Sequence, residues 1–351
     1  MADLKSYLTR AVNEEASDLF IIAGGPISAK IDGRIRPLEE GKLLPPDTEA
    51  LIGDIYALSG RGMEKYLATG DDDFSFAIPG LSRFRVNAYR QRGSLAAVVR
   101  VVSFDIPKYD EINIPESVME LASIAHGMIL FTGTAGSGKS TTQACLIDRI
   151  NQTRPCHIIT LEDPIEYLHR NQMSIISQRE IAIDTADYLS ALRACLRQAP
   201  DVILLGEMRD PETIRTAITA AETGHTVIAT MHTKGSVNAI DRMLDCFSGA
   251  HQAQIRFQLA TVLRTVVSQQ MIPSLDGSEI PAFELMHINS SIRGMIRDNK
   301  NYQIENAINA GRHEGMISMD QSLAELYHAG KISRETAVNY AEHPDQIGRH
   351  L

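Results

Sequence analysis

Four stretches between residues 127 and 232 are apolar almost from end to end: GMILFTG, HIITLED, DVILLGE and HTVIATMH. Segments of helical pattern separate them. A strand that is apolar at every position must be covered on both faces, so the runs imply an α/β fold with a parallel sheet flanked by helices. Behind the first run the chain turns glycine-rich, then carries a lysine and hydroxyls, GTAGSGKSTT (133–142), before the helical pattern TTQACLIDRI.

Gly133, Gly138, Lys139 and Ser140 satisfy G-x-x-x-x-G-K-[ST]. A triphosphate is crowded with negative oxygens, so a loop that holds it must turn its backbone N–H groups inward. Glycine's free φ permits that turn. The loop Gly133, Thr134, Ala135, Gly136, Ser137, Gly138 is therefore expected to cradle phosphates, with the following helix adding its positive end. Lys139 would reach the β- and γ-phosphates, the Ser140 hydroxyl would ligate Mg²⁺, and Thr141 would support the α-phosphate side. The motif lies between an apolar strand and a helix, where this mechanism needs it, so ATP with Mg²⁺ is the expected ligand.

The next runs bear on the γ-phosphate. HIITLEDPIEYLH places Glu162, Asp163 and Glu166 just past the end of the second strand, the edge of an open parallel sheet where ligands sit. One carboxylate there can polarise a water for in-line attack on phosphorus while another orients the water or the metal. DVILLGEMRD ends in Gly206-Glu207, which makes Glu207 the expected metal-side carboxylate, with Arg209 a nearby cation. His225 and His232 bracket the fourth run. Either is a candidate to set an imidazole near the γ-phosphate, and spacing alone does not separate them.

Up to about residue 100 the pattern is that of a small α+β unit. Leu4, Leu8 and Val12 share a helical face, DLFIIA reads as a strand, and SAKI-DG-RIRPL reads as a hairpin turning at Asp32-Gly33. Three more strands follow within 74–103, and Phe84, Val86 and Ala88 alternate with Arg83, Arg85, Asn87 and Tyr89 to give one apolar and one cationic face. FDIPKYDEINIPE (104–116), with two prolines, reads as a linker. From about residue 234 the pattern is mostly helical, ending with Gly330 as a C-cap and Ser333 as an N-cap.

The totals exclude several classes. The 351 residues carry a net charge of −10, a poor basis for tracking a nucleic-acid backbone. No segment offers the roughly 18 uninterrupted apolar residues of a membrane span, so no direct insertion in a membrane is expected. Cys145, Cys156, Cys195 and Cys246 form no Cys-x-x-Cys pair and read as unpaired core thiols in a reducing compartment.

Taken together, GTAGSGKSTT, ITLEDPIEYLH, RQAPDVILLGEMRD and TGHTVIATMHT resemble the Walker A, Asp box, atypical Walker B and His box of the secretion ATPase superfamily. Within it the chain is most similar to the pilus-retraction (PilT-type) branch, on SRFRVNAYRQRG, SIRGMIRDNK and SLAELYHAGKISRETA as well. The resemblance implies a PAS-like N-terminal domain (1–103), the linker (104–116) and a RecA-like ATPase domain with a helical C-terminal part (117–351). It implies a homo-hexamer, cytoplasmic and peripheral at the inner face of the cell membrane, working on an inner-membrane pilus platform protein (PilC-like), with a second pilus ATPase as a further partner. It casts Glu162 as the water-activating glutamate, Glu207 as the Walker B glutamate, and His232 or His225 as the His-box residue. Arg85 and Arg90 lead the cations expected to meet the phosphates, with Arg197 and Arg209 as comparable candidates. The rival members are extension or type II secretion ATPases, whose longer N-terminal region and four-cysteine zinc insertion have no counterpart here, and an inactive ATP-binding scaffold. In the retraction segment Gly294-Met295 replaces the branch's Asn-Leu.

Overall fold

In the computed structural model, which describes residues 3–31, 33–102, 106–348 and 351, α1 (Leu4–Asn13) begins where Asp3 accepts a 2.7 Å hydrogen bond from Ser6 N. Its buried face is Leu4, Tyr7, Leu8 and Ala11. Six strands follow in one antiparallel sheet: β1 (Asp18–Ile21), β2 (Ser28–Ile31), β3 (Arg34–Pro37), β4 (Asp71–Ile78), β5 (Ser82–Gln91) and β6 (Ser94–Val102), ordered β3-β2-β1-β6-β5-β4. Helices α2 (Pro45–Ser59) and α3 (Glu64–Thr69) lie between β3 and β4 in sequence. The β2–β3 hairpin forms as expected; Asp32 of its turn lies outside the described residues. At the β5–β6 turn Arg92 and Gly93 both have positive φ, +48° and +81°, which suits a two-residue loop. Along β5 the buried residues are Ser82, Phe84, Val86 and Ala88, and the cationic set faces outward.

The described residues fall into two compact units, one reaching to Val102 and including Glu166–Leu168, the other running from Ile106 without those three. The segment read as a linker is described from Ile106 onward. There it packs Ile106, Tyr109, Ile112 and Ile114 into the second unit's core.

The second unit has the expected α/β plan. After α4 (Glu116–Met119), β7 (Gly127–Thr132) is buried at all six positions and leads into α5 (Lys139–Thr153). Next come β8 (His157–Glu162), β9 (Ile175–Glu180), α6 (Tyr188–Cys195), β10 (Val202–Leu205), α7 (Pro211–Glu222), β11 (Thr226–Met231), α8 (Ser236–Asp245) and α9 (Gly249–Val262). Two further strands correct the expectation of helices from residue 234: β12 (Leu263–Pro273) and β13 (Glu279–His287) form an antiparallel hairpin, with β12 parallel to β7. The sheet runs β13-β12-β7-β11-β10-β8-β9. The β-branched residues of LRTVVSQQMIP and the Asp276-Gly277 turn, with Gly277 at φ +86°, explain why. Helices return as α10 (Ser290–Arg297), α11 (Ile304–Ala310), α12 (Met319–His328), α13 (Arg334–Tyr340) and α14 (Pro344–Ile347). Ser333 caps α13 as read, and Gly330 beyond α12 has φ +68°. Cys145 and Cys195 are buried, whereas Cys156 and Cys246 are only partly so, which corrects the reading of four core thiols.

Glu284 on β13 is buried and accepts a 2.7 Å hydrogen bond from Ser236 N at the start of α8. Burial holds its carboxyl above the ordinary range, despite the Ser236 donors, and Glu305 adds repulsion. A group whose folded value is raised contributes stability that is complete below its ordinary value, 4.5, and is lost as pH rises through the folded value. Glu284→Gln keeps the acceptor and removes the charge. Thermal denaturation across pH 4 to 8 is expected to show the variant gaining on the wild type as pH rises, and a constant difference would contradict this.

Candidate active site

Strands β7, β11, β10 and β8 are neighbours and all parallel, so the residues that follow each strand meet at one edge of the sheet. After β7 comes the glycine loop. Gly133, Gly136 and Gly138 take φ of +148°, +78° and +81°, which aims successive N–H groups to one side. Thr134, Ala135 and Gly136 are exposed, Ser137 and Lys139 are buried, and Ser140 is exposed at the start of α5, with Thr141 half-buried behind it. The Lys139 ammonium donates to the carbonyls of Gly133 (2.8 Å) and Thr134 (2.7 Å).

After β8 stands Glu162. Thr160 Oγ1 donates to its Oε1 at 2.6 Å and Gln178 Nε2 reaches the same oxygen at 3.3 Å. Asp163 follows directly, whereas Glu166 belongs to the first compact unit. After β10, Gly206 N donates to Leu161 O at 2.8 Å, which brings the roots of Glu162 and Glu207 side by side. Met208 N donates to Thr230 O, pinning that loop to β11. Arg209 Nε lies 2.7 Å from Glu207 Oε2, and His232 Nε2 lies 3.3 Å from the same oxygen.

Strand direction separates the two histidines. His232 follows β11 and stands at the carboxylate edge. His225 precedes the strand, about 20 Å away along six residues, with its Nδ1 2.9 Å from Ala220 O. The reading of His225 as a phosphate contact is therefore corrected: it is a structural residue at the far edge. Arg197 is corrected likewise. It lies beyond α6 beside Gln198, whose carbonyl is 3.0 Å from Nδ1 of His157 at the start of β8, the edge opposite Glu162. Arg85 and Arg90 lie in the first unit, on the outward part of β5.

Three supporting residues escaped the sequence reading. Thr160 was legible, since a hydroxyl two positions before Glu162 shares its face of the strand. Gln178 and Gln269 were not, because β9 and β12 had not been read as strands. Gln269 accepts from Thr142 Oγ1 at 2.9 Å, and a methyl group on Gly133 would lie 2.3 Å from its carbonyl oxygen.

The chain from residue 1 to 346 matches the family model described as type II/IV secretion system protein. It belongs to that family. This member is 40% identical over 346 residues to the type IV pilus retraction ATPase PilT of Pseudomonas aeruginosa, covering 98% of this chain and 100% of the relative. A twitching motility protein of Neisseria gonorrhoeae is 42% identical over 276 residues, 78% of this chain and 74% of that one. The crystal structure of the pilus retraction motor PilT with bound ADP superposes with a TM-score of 0.90 at 41% identity, over 99% of this chain and 100% of that one. Among the described residues no helix is long and apolar enough to cross a membrane.

Gly133→Ala is expected to destabilise the protein more than Gly136→Ala. Both acquire a Cβ at positive φ, at about 1–2 kcal/mol, but only the first meets the Gln269 carbonyl, which adds roughly 1–3 kcal/mol of overpacking. Chemical denaturation of both variants checks this.

Proposed function

We propose that this chain is an ATP-hydrolysing motor of type IV pilus retraction. The reading is carried by the placement of Glu162, Glu207 and His232 along the edge where the glycine loop opens, in a chain similar from end to end to a retraction ATPase. The loop's N–H groups and Lys139 bind the phosphates, and Lys139 exchanges two neutral carbonyls for charged oxygens as it does so. The Ser140 hydroxyl and the Glu207 carboxylate are hard oxygen donors that follow strands ending at the same edge of the sheet, a set that suits Mg²⁺; the ion would supply charge neutralisation at the phosphates.

Glu162 accepts the proton of the attacking water, its carboxylate held by Thr160 and Gln178. Asp163 stands beside it as the second acid. Arg209, already on Glu207, is a second cation at this edge beside Lys139, and His232 contacts the same Glu207 oxygen. Arg85, Arg90 and Glu166 belong to the first unit.

Six copies in a ring, at the cytoplasmic face of the cell membrane, act on a pilus platform protein. Motion arises because the γ-phosphate makes contacts that ADP cannot.

Purified protein is expected to release phosphate from ATP with Mg²⁺, and Glu162→Gln to lower kcat roughly 10²–10⁴-fold while ATP binding persists. Expressed in a strain lacking its own retraction ATPase, the wild type restores twitching and Glu162→Gln does not. Binding without hydrolysis by the wild type would mark a scaffold; hydrolysis without retraction would mark an extension-type motor.

A further inference from the structure

Strand β7 is apolar until its last residue, where it ends in a hydroxyl. Thr132 is as fully buried as Met128, Ile129, Leu130 and Phe131 before it. A hydroxyl enclosed in this way is costly unless it is bonded. It is bonded twice, both times to Thr233: Thr132 Oγ1 donates to the Thr233 carbonyl, and the two hydroxyl oxygens lie 2.8 Å apart. One hydroxyl carries one proton, so with the Thr132 proton on the carbonyl, the Thr233 hydroxyl supplies the second bond. A single oxygen thus holds both the main chain and the side chain of Thr233.

The residues on either side give this clasp its meaning. Thr132 immediately precedes Gly133, where the glycine loop begins, and Thr233 immediately follows His232. In the ladder Thr132 pairs with Met231, the last residue of β11, so strand pairing stops one residue short of His232. The clasp takes over at that point. Beyond it, Gly235 N donates to Ser268 Oγ at 3.2 Å and Ser236 N to Glu284 Oε1 at 2.7 Å. Ser268 is itself the β12 partner of Thr132. His232 is exposed, yet it stands between the end of the ladder and a tethered neighbour, with its Nε2 3.3 Å from Glu207 Oε2.

We propose that Thr132 is a positioning residue of the hydrolytic site: its hydroxyl, bonded to the carbonyl and hydroxyl of Thr233, sets His232 relative to the phosphate loop and within reach of Glu207. This rests on the ATP-hydrolysing reading above. Wild-type phosphate release tests that reading, whereas the spectroscopic measurement below needs no turnover.

Thr132→Val keeps the branched shape and removes only the hydroxyl. The expected result is a kcat lower by roughly three- to tenfold, the scale of a neutral hydrogen bond, with KM for ATP within about twofold of wild type. Thr132→Ser, which retains the oxygen, should restore kcat. In a His232→Ala background Thr132→Val should add no further loss, because two residues acting through one contact are not additive. A second readout uses nucleotide-free protein labelled with ¹³C at histidine Cε1. The His232 resonance, identified among 11 histidines by its loss in His232→Ala, should shift in Thr132→Val and return in Thr132→Ser. The resonance of His225, at the opposite edge, should stay where it is. If Thr132→Val folds poorly, Thr233→Val opens the clasp from the other side and should shift the His232 resonance likewise. An unchanged kcat in Thr132→Val would overturn the proposal, as would a raised KM alone, which would mark a residue that shapes only the phosphate loop. So would a serine variant that restores nothing, an additive loss beside His232→Ala, or a His232 resonance that neither valine variant moves.

Discussion

In-register parallel hydrogen bonding among β7, β11, β10 and β8 is the constraint from which the site follows. Leu205 pairs with Leu161 and Ala229, and Met231 pairs with Thr132, so four strands end together. Each ends in chemistry: the glycine loop, His232, Glu207 and Glu162. A slip of one residue in any of these ladders would turn a strand's side chains over and carry its candidate site residue off the edge. The ladders are held by burial on both faces, where Ile159, Ile203, Val227 and Ile129 are fully enclosed. The apolar runs thus have a second consequence, fixing where the charged residues that follow them stand.

The same physics decides what could be read in the sequence. Strands covered on both faces leave an unbroken apolar signature, and β7, β8, β10 and β11 were all legible, as was the loop whose glycines mark it. The alternation along β5 was equally plain. Strand β9 was missed because IISQRE mixes polar residues into an edge strand. The β12–β13 hairpin was missed because SQQ interrupts an apolar stretch that directly continues α9. With β12 went Gln269, the residue that backs the phosphate loop.

The histidines show a different limit. Spacing could not choose between His225 and His232, although strand direction, once assumed, puts a residue before a strand at the far edge. Arg197 fails for the same reason: it belongs to the return path from α6 to β10.

The hairpin's other face is covered by the end of the chain. Ile272, Ile280 and Ala282 share a core with Met319, Leu323, Ile332, Ala337 and Ile347. Nine residue pairs zip β12 to β13 without a break, and Gln269 sits within that ladder. Shortening the chain at α12 would therefore strip the oily underside from the girder that braces the phosphate loop, and a lesion at the carboxyl terminus would reach the nucleotide without touching it.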